Sequence, residues 1–239
     1  MSQVALKLTL GPLLYAQGAY ARFVTPKLPE PPGPRAGVTG RGKPLRLLVF
    51  GDSASVGVGV DHQMDGLIGH TLRGLEQTFT VTWSVWGKTG GTTETTMELL
   101  KDKAPAKFDV AITSLGVNDV TRQVPLKTWL AQQQALFDLL EAKFAVEHIY
   151  FSGFAPLHLF PVMPQPLRWF IGRECRIFDN AMADLATRRP CLEHVPNRMK
   201  DVPSLLASDG FHPGIEFYRQ WGVEAAHRIL HRFGSKAEV

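Results

Sequence analysis

The chain has 239 residues, room for one large domain or two small ones. Its 44% hydrophobic and 20% charged content excludes a disordered or collagen-like chain. Lys and Arg outnumber Asp and Glu by 26 to 22, but the basic residues are scattered and form no nucleic-acid-binding motif. The excess reads as a solvated basic surface, and no nucleic-acid partner is expected.

At the start of the chain, residues 8–16 form a short apolar stretch after Lys7, and Ala19-Tyr20-Ala21 has a small-x-small outline. Together they resemble a weak export signal. One lysine is little positive charge for such a signal, and Gly11-Pro12 interrupts the apolar run. The expected location is therefore cytoplasmic, with export to the periplasm or beyond as the alternative. The segment can instead lie as an amphipathic element on the domain or on a membrane surface. No run approaches the ~18 apolar residues of a spanning helix. Residues 26–44 hold six prolines and four glycines. Proline fixes φ and lacks a donor, so this stretch cannot be a helix or an inner strand. Residues 1–44 are read as an N-terminal segment and extended arm, and residues 45–239 as the domain.

Beyond residue 44 two periodicities alternate. Residues 45–50 (LRLLVF) are nearly continuous in apolar side chains, as in a strand covered on both faces. A helical pattern follows over 64–75, then a β-branched and aromatic strand over 79–85. A helix over 93–103, a strand over 109–115 and a long helix over 126–144 come next. Residues 148–153 read as a strand, 168–188 as a helix, 191–195 as a short last strand, and 215–233 as the closing helix. Such alternation predicts an α/β fold with a parallel sheet of about five strands and helices on both faces. Sites in such sheets form beyond the carboxyl ends of the strands.

Four motifs stand at those ends. Gly51-Asp52-Ser53-Ala54-Ser55 follows the first strand and can expose a serine hydroxyl at the sheet edge. Taken alone it is also an ordinary turn or helix cap. Gly87-Lys88-Thr89-Gly90-Gly91-Thr92 follows the second strand, and its bare backbone amides can point at an oxyanion. Gly116-Val117-Asn118-Asp119 follows the third, where the Asn118 amide is a neutral donor with no proton to lose. Asp209-Gly210-Phe211-His212-Pro213 precedes the last helix and sets a carboxylate beside an imidazole on one tight loop.

In this order the motifs resemble the four blocks of the SGNH hydrolases, the GDSL-type esterases and lipases. The resemblance covers roughly residues 45–230. It implies a flavodoxin-like three-layer α/β/α sandwich and an ester hydrolase with Ser53 as nucleophile, His212 as base and Asp209 as its partner. It places the Ser53 and Gly90 amides and the Asn118 side chain in an oxyanion hole. The family's second block carries an Asn two residues before its first glycine. Val85 stands there in this chain, so the donor glycine is either Gly87 or Gly90. The chemistry implied is acyl transfer through an acyl-enzyme on a small-molecule, short-chain ester, with no cofactor and no metal. A carbohydrate O-deacetylase or acyltransferase on the same fold is the alternative, and a non-catalytic binding module a more distant one.

Three further features are read from the residues alone. Residues 154–170 are apolar and contain four prolines, and they follow the fourth strand. They can line an acyl pocket, with Leu157, Phe160, Val162 and Met163 as candidates and Gly87 as a further substrate contact. His227 and His231 lie four apart with Glu224 nearby, but without a third strong ligand they read as a solvated helix face. Cys175 and Cys191 allow one disulfide by arithmetic, and two reduced thiols are expected.

Overall fold

The first apolar run is buried because the strand it forms has a neighbour on each edge and helices on each face. In the computed structural model, which describes residues 3–198 and 201–234, this strand is β2 (Lys43–Gly51), and an edge strand, β1 (Ala36–Gly40), precedes it. β2 runs parallel to both β3 (Phe79–Gly87) and β4 (Val110–Ser114). β5 (His148–Ser152) and β6 (Leu192–Val195) continue the parallel sheet beyond β4. The order across the sheet is β1-β3-β2-β4-β5-β6.

Among the described residues the sheet thus has six strands, where about five were expected. β1 pairs antiparallel with β3 at the outer edge. It arises inside the arm expected to be merely extended. The prolines of the arm fall at positions 26–34 and at 44, which leaves residues 35–43 free to pair. An edge position also exposes one side of the strand to solvent, which its alternately exposed residues tolerate.

Two helices cover one face, α2 (Leu67–Leu75) and α8 (Ile215–Phe233). They bury Leu47, Val49, Val81 and Ile112 of the strands. α3 (Thr93–Asp102), α5 (Leu126–Phe144) and α6 (Leu167–Ala186) cover the other face and bury Leu48, Phe50, Ala111 and Phe151. Alternate residues of one strand feed opposite cores, as a pleated strand requires. This is the three-layer α/β/α sandwich. The helix expected over 64–75 begins instead as a 3-10 turn at Gln63–Asp65, and extended Gly66 separates it from α2. Two short helices, α4 (Val117–Thr121) and α7 (Val202–Leu205), fall in the connections.

The N-terminal segment is one helix, α1 (Gln3–Val24), which runs through Pro12. A proline within a helix removes one donor, and tertiary contacts offset that loss here. Leu14 and Ala21 are buried in the core beside α6. Gln17 accepts the Leu167 N–H at 3.0 Å and donates to the Gln165 carbonyl at 2.6 Å, which ties α1 to the start of α6.

Candidate active site

β2 ends in a turn that only glycine fits. Gly51 has φ +148°, and a Cβ there would lie 2.3 Å from both the Ser114 carbonyl oxygen and Ser55 Oγ. Asp52 N–H donates to Ser114 O at 3.2 Å, Val56 N–H to Asp52 O at 3.3 Å and Val58 N–H to Ser53 O at 3.0 Å. This tight turn holds Ser53 at the carboxyl edge of the sheet. Ser55 points inward, fully buried, and donates to Phe50 O at 2.9 Å. β3 and β4 flank β2, so Ser53 sits where the chain's progression across the sheet reverses, the usual position of a ligand crevice.

The loop between α7 and α8 brings the second part. Ala207 N–H donates to His212 O at 2.8 Å, and Gly214 N–H to Leu205 O at 2.8 Å, which closes the loop. Asp209 Oδ1 accepts the backbone N–H groups of Phe211 at 3.0 Å and His212 at 2.9 Å. Its Oδ2 lies 2.5 Å from His212 Nδ1, and His212 Nε2 lies 3.1 Å from Ser53 Oγ. Burial pushes the Asp209 carboxyl up, but the ring and the two backbone donors outweigh it, so the carboxyl is held below its ordinary value. Asp209 therefore stays ionised, and its charge fixes the imidazole with Nδ1–H facing the carboxylate.

The loop after β3 approaches from the other side. Gly87 pairs with Gly51, and a Cβ on it would lie 2.5 Å from Gly51 O. Gly87 thus serves close packing of two strands. Gly91 N–H donates to Lys88 O at 2.9 Å, whereas the Gly90 N–H donates to no backbone carbonyl among the described residues.

Asn118 stands at the start of α4. Its Nδ2 donates to Gly91 O at 3.0 Å and to Asp52 Oδ2 at 3.3 Å. The two acceptors hold the amide beside the Gly90–Gly91 turn. Asp52, next to Ser53 in the chain, is buried, and that burial raises its carboxyl to about 7. Asp119, also buried, accepts the Thr93 N–H at 3.1 Å and so caps the start of α3. Burial raises its carboxyl to about 6.

A cleft of about 310 Å³ opens beside Ser53 and His212. Its floor follows the carboxyl ends of the strands, from Ser53 past Ser114, Ser152 and Val195. Of the expected pocket residues, Leu157 and Phe160 line it. Met163 is buried in the core instead, and Val162 packs beside Gly210. Gly87, Gly90 and Asn118 do not line it either. Phe154, inside the apolar stretch expected to line the pocket, is a wall of the cleft, and so are Phe217 and Trp221 of α8, which were not expected there. The helical period marks Phe217 and Trp221 as inward-facing, yet does not say that this end of α8 faces a cleft rather than the core.

Elsewhere, Glu224, His227 and His231 border a separate groove with Arg228 and Arg232. Among the described residues, no group of three His, Cys, Asp or Glu side chains is placed to hold a metal ion. Cys175 and Cys191 are free thiols, and Cys191 donates to Glu141 Oε1 at 2.8 Å.

Residues 49–220 match the family model of GDSL-like lipases and acylhydrolases. No curated protein matches the sequence. Among solved structures, a lipolytic G-D-S-L family member from Veillonella parvula superposes with a TM-score of 0.61 at 13% identity, over 80% of this chain and 98% of that one. The psychrotrophic esterase EstA from Pseudoalteromonas sp. gives 0.57 at 15% identity, over 80% and 99%. The aryl esterase of M. smegmatis gives 0.57 at 18% identity, over 78% and 99%. At such identities the likeness is one of fold.

Proposed function

The chain belongs to the GDSL-like lipase/acylhydrolase family and is an ester hydrolase, and from that premise we propose that it is a serine esterase of short-chain carboxylic esters. The observation that carries this reading is the unbroken relay from Asp209 through His212 to Ser53, with links of 2.5 and 3.1 Å at the reversal point of the sheet. In the proposed reaction His212 Nε2 takes the Ser53 proton as Oγ attacks the ester carbonyl. The Asp209 carboxylate stabilises the imidazolium that forms. The oxyanion of the tetrahedral intermediate receives the Ser53 and Gly90 N–H groups and one N–H of Asn118. The Asn118 contact to Asp52 is the longer of its two, at 3.3 Å, and is the one given up when the oxyanion arrives. His212 then returns the proton to the leaving alcohol. Water enters by the same route and releases the acid from Ser53.

The cleft supports a small acyl group, because about 310 Å³ lies at the low end of ligand pockets. A p-nitrophenyl ester series tests this. Turnover falls beyond short acyl chains on this reading, and a rate still rising at long chains removes the short-chain assignment. Inert behaviour toward every ester and toward a fluorophosphonate probe would remove the catalytic reading altogether. A second reading draws on the polar side chains Arg198, Gln220 and Glu224, which share the same cleft. They suit the hydroxyl-rich alcohol of an O-acetylated carbohydrate. Acetate release from an acetylated sugar in preference to p-nitrophenyl acetate selects that reading.

A further inference from the structure

Over residues 10–24 α1 carries apolar side chains both on the side that packs on the protein and on the side left uncovered. Leu10, Leu14, Gln17, Gly18 and Ala21 face the protein, fully or partly buried. The opposite side carries Leu13, Tyr15, Tyr20, Phe23 and Val24, with Tyr15 76% and Phe23 88% exposed. Large apolar side chains left on the uncovered side of a helix favour a further apolar environment there. Trp169, at the start of α6 against which α1 lies, is exposed as well. Large apolar patches on a surface mark a docking site.

We propose that the outer side of α1, with Trp169, seats the enzyme on an anionic lipid surface. Three observations select this occupant. Tyrosine and tryptophan have an apolar body and a polar tip, the form that settles at the level of lipid headgroups. α1 contains no Asp or Glu and carries Arg22 on its exposed side. The neighbouring first half of α6 adds Arg168 and Arg176, while its single acid, Glu174, is buried. A cationic, aromatic surface complements anionic headgroups. A second copy of the chain fits less well. A two-fold contact would bring like-charged Arg22 side chains together and enclose the tyrosine hydroxyls among apolar groups. Among the described residues no helix is long and apolar enough to cross a membrane, so the contact is interfacial.

The placement has a consequence for catalysis. Gln17 of α1 is bonded to Gln165 and Leu167, at the end of the proline-rich loop whose Leu157 and Phe160 line the cleft. The docking helix thus braces a wall of the cleft. An enzyme seated through α1 meets esters that partition into the lipid surface.

The test is flotation of the purified full chain with vesicles of equal parts phosphatidylcholine and phosphatidylglycerol, against phosphatidylcholine alone. The variant is Tyr15→Ser/Tyr20→Ser/Phe23→Ser, whose three positions are exposed and lie away from Ser53 and His212. The wild type is expected to float with the anionic vesicles, less so in high salt. The variant is expected to lose about tenfold or more in partitioning, with unchanged helix content by circular dichroism and unchanged turnover of a soluble ester. A wild type that stays unbound, or a variant that floats equally well, overturns the proposal. So does a dimeric wild type with a monomeric variant in light scattering, which assigns the surface to a second copy. Recovery from cells of a chain cut after Ala21 also overturns it, because the working enzyme then lacks α1.

Discussion

Gly59 and the carbonyl of Pro213 touch so closely that no side chain fits between them. A Cβ on Gly59 would lie 2.2 Å from Pro213 O, and its φ is +109°. This contact presses the loop after β2 against the loop that carries His212. It is reinforced by Tyr218, whose hydroxyl donates to Val58 O at 2.7 Å. The separation of Ser53 Oγ from His212 Nε2 is set there rather than by either loop alone. Gly59→Ala is therefore expected to lower kcat by about tenfold or more, because small displacements of a base are costly. Steady-state kinetics on a soluble ester check it. Wild-type turnover in Gly59→Ala, with the fold intact, would show that the contact does not position His212.

Two serines in one turn separate chemistry from structure. Ser53→Ala is expected to abolish ester hydrolysis and fluorophosphonate labelling while the protein stays folded. Ser55→Ala is expected to keep labelling but to lose about 1 kcal/mol of stability, since it removes one buried hydrogen bond to the Phe50 carbonyl. Mass spectrometry of the labelled peptide, together with urea unfolding, distinguishes the two. A label on Ser55 would reverse the assignment.

Asn118 and Asp119 are adjacent but differ in the same way. Asn118→Ala is expected to lower kcat by about 10²–10³ with little change in KM, because the oxygen becomes fully charged only in the transition state. Asp119→Ala removes the acceptor for Thr93 N–H, so it is expected to cost about 1–2 kcal/mol of stability and little turnover. If Asn118→Ala raised KM and spared kcat, the side chain would position substrate and the oxyanion would rest on backbone amides.

The buried acids predict how stability depends on pH. Asp52 is raised to about 7 and Asp119 to about 6, both by burial, against about 4 in an unfolded chain. As pH rises the unfolded chain gives up these protons first, so the fold loses stability between about pH 4 and 7 and levels off above. Asp209 acts in the opposite sense. Its carboxyl is held low, so its contribution is present above about pH 4 and is lost as pH falls through the lowered value. Thermal unfolding should therefore peak in mild acid and decline toward pH 8. Asp52→Asn, which has the same shape without the charge, should flatten that decline by on the order of 2 kcal/mol. Equal melting temperatures for the wild type at pH 5 and pH 8 would contradict the account.

The layered α/β architecture is legible in the chain alone, because hydrophobic period is a local property. Leu45 to Phe50 could not be anything but a doubly covered strand, and residues 126–144 carry a helical stripe that α5 reproduces. The candidate chemistry was also local. Asp209 and His212 lie three residues apart, and Ser53 and Asn118 each follow a strand directly. What needed tertiary structure was everything set by segments distant in the chain. β1 forms only because the exposed edge of β3 accepts it. The division between Ser53 and Ser55 depends on which hydroxyl meets His212 and which meets Phe50 O. The close packing of Gly87 against Gly51 became visible only once β2 and β3 lay side by side. Phe217 and Trp221 became cleft walls, and Met163 a core residue, through the way α8 and the 154–166 loop meet the strand ends. The raised carboxyl of Asp52 and the bare outer side of α1 have the same origin. Burial depends on what the rest of the chain brings alongside, and the spacing of residues along the chain does not record it.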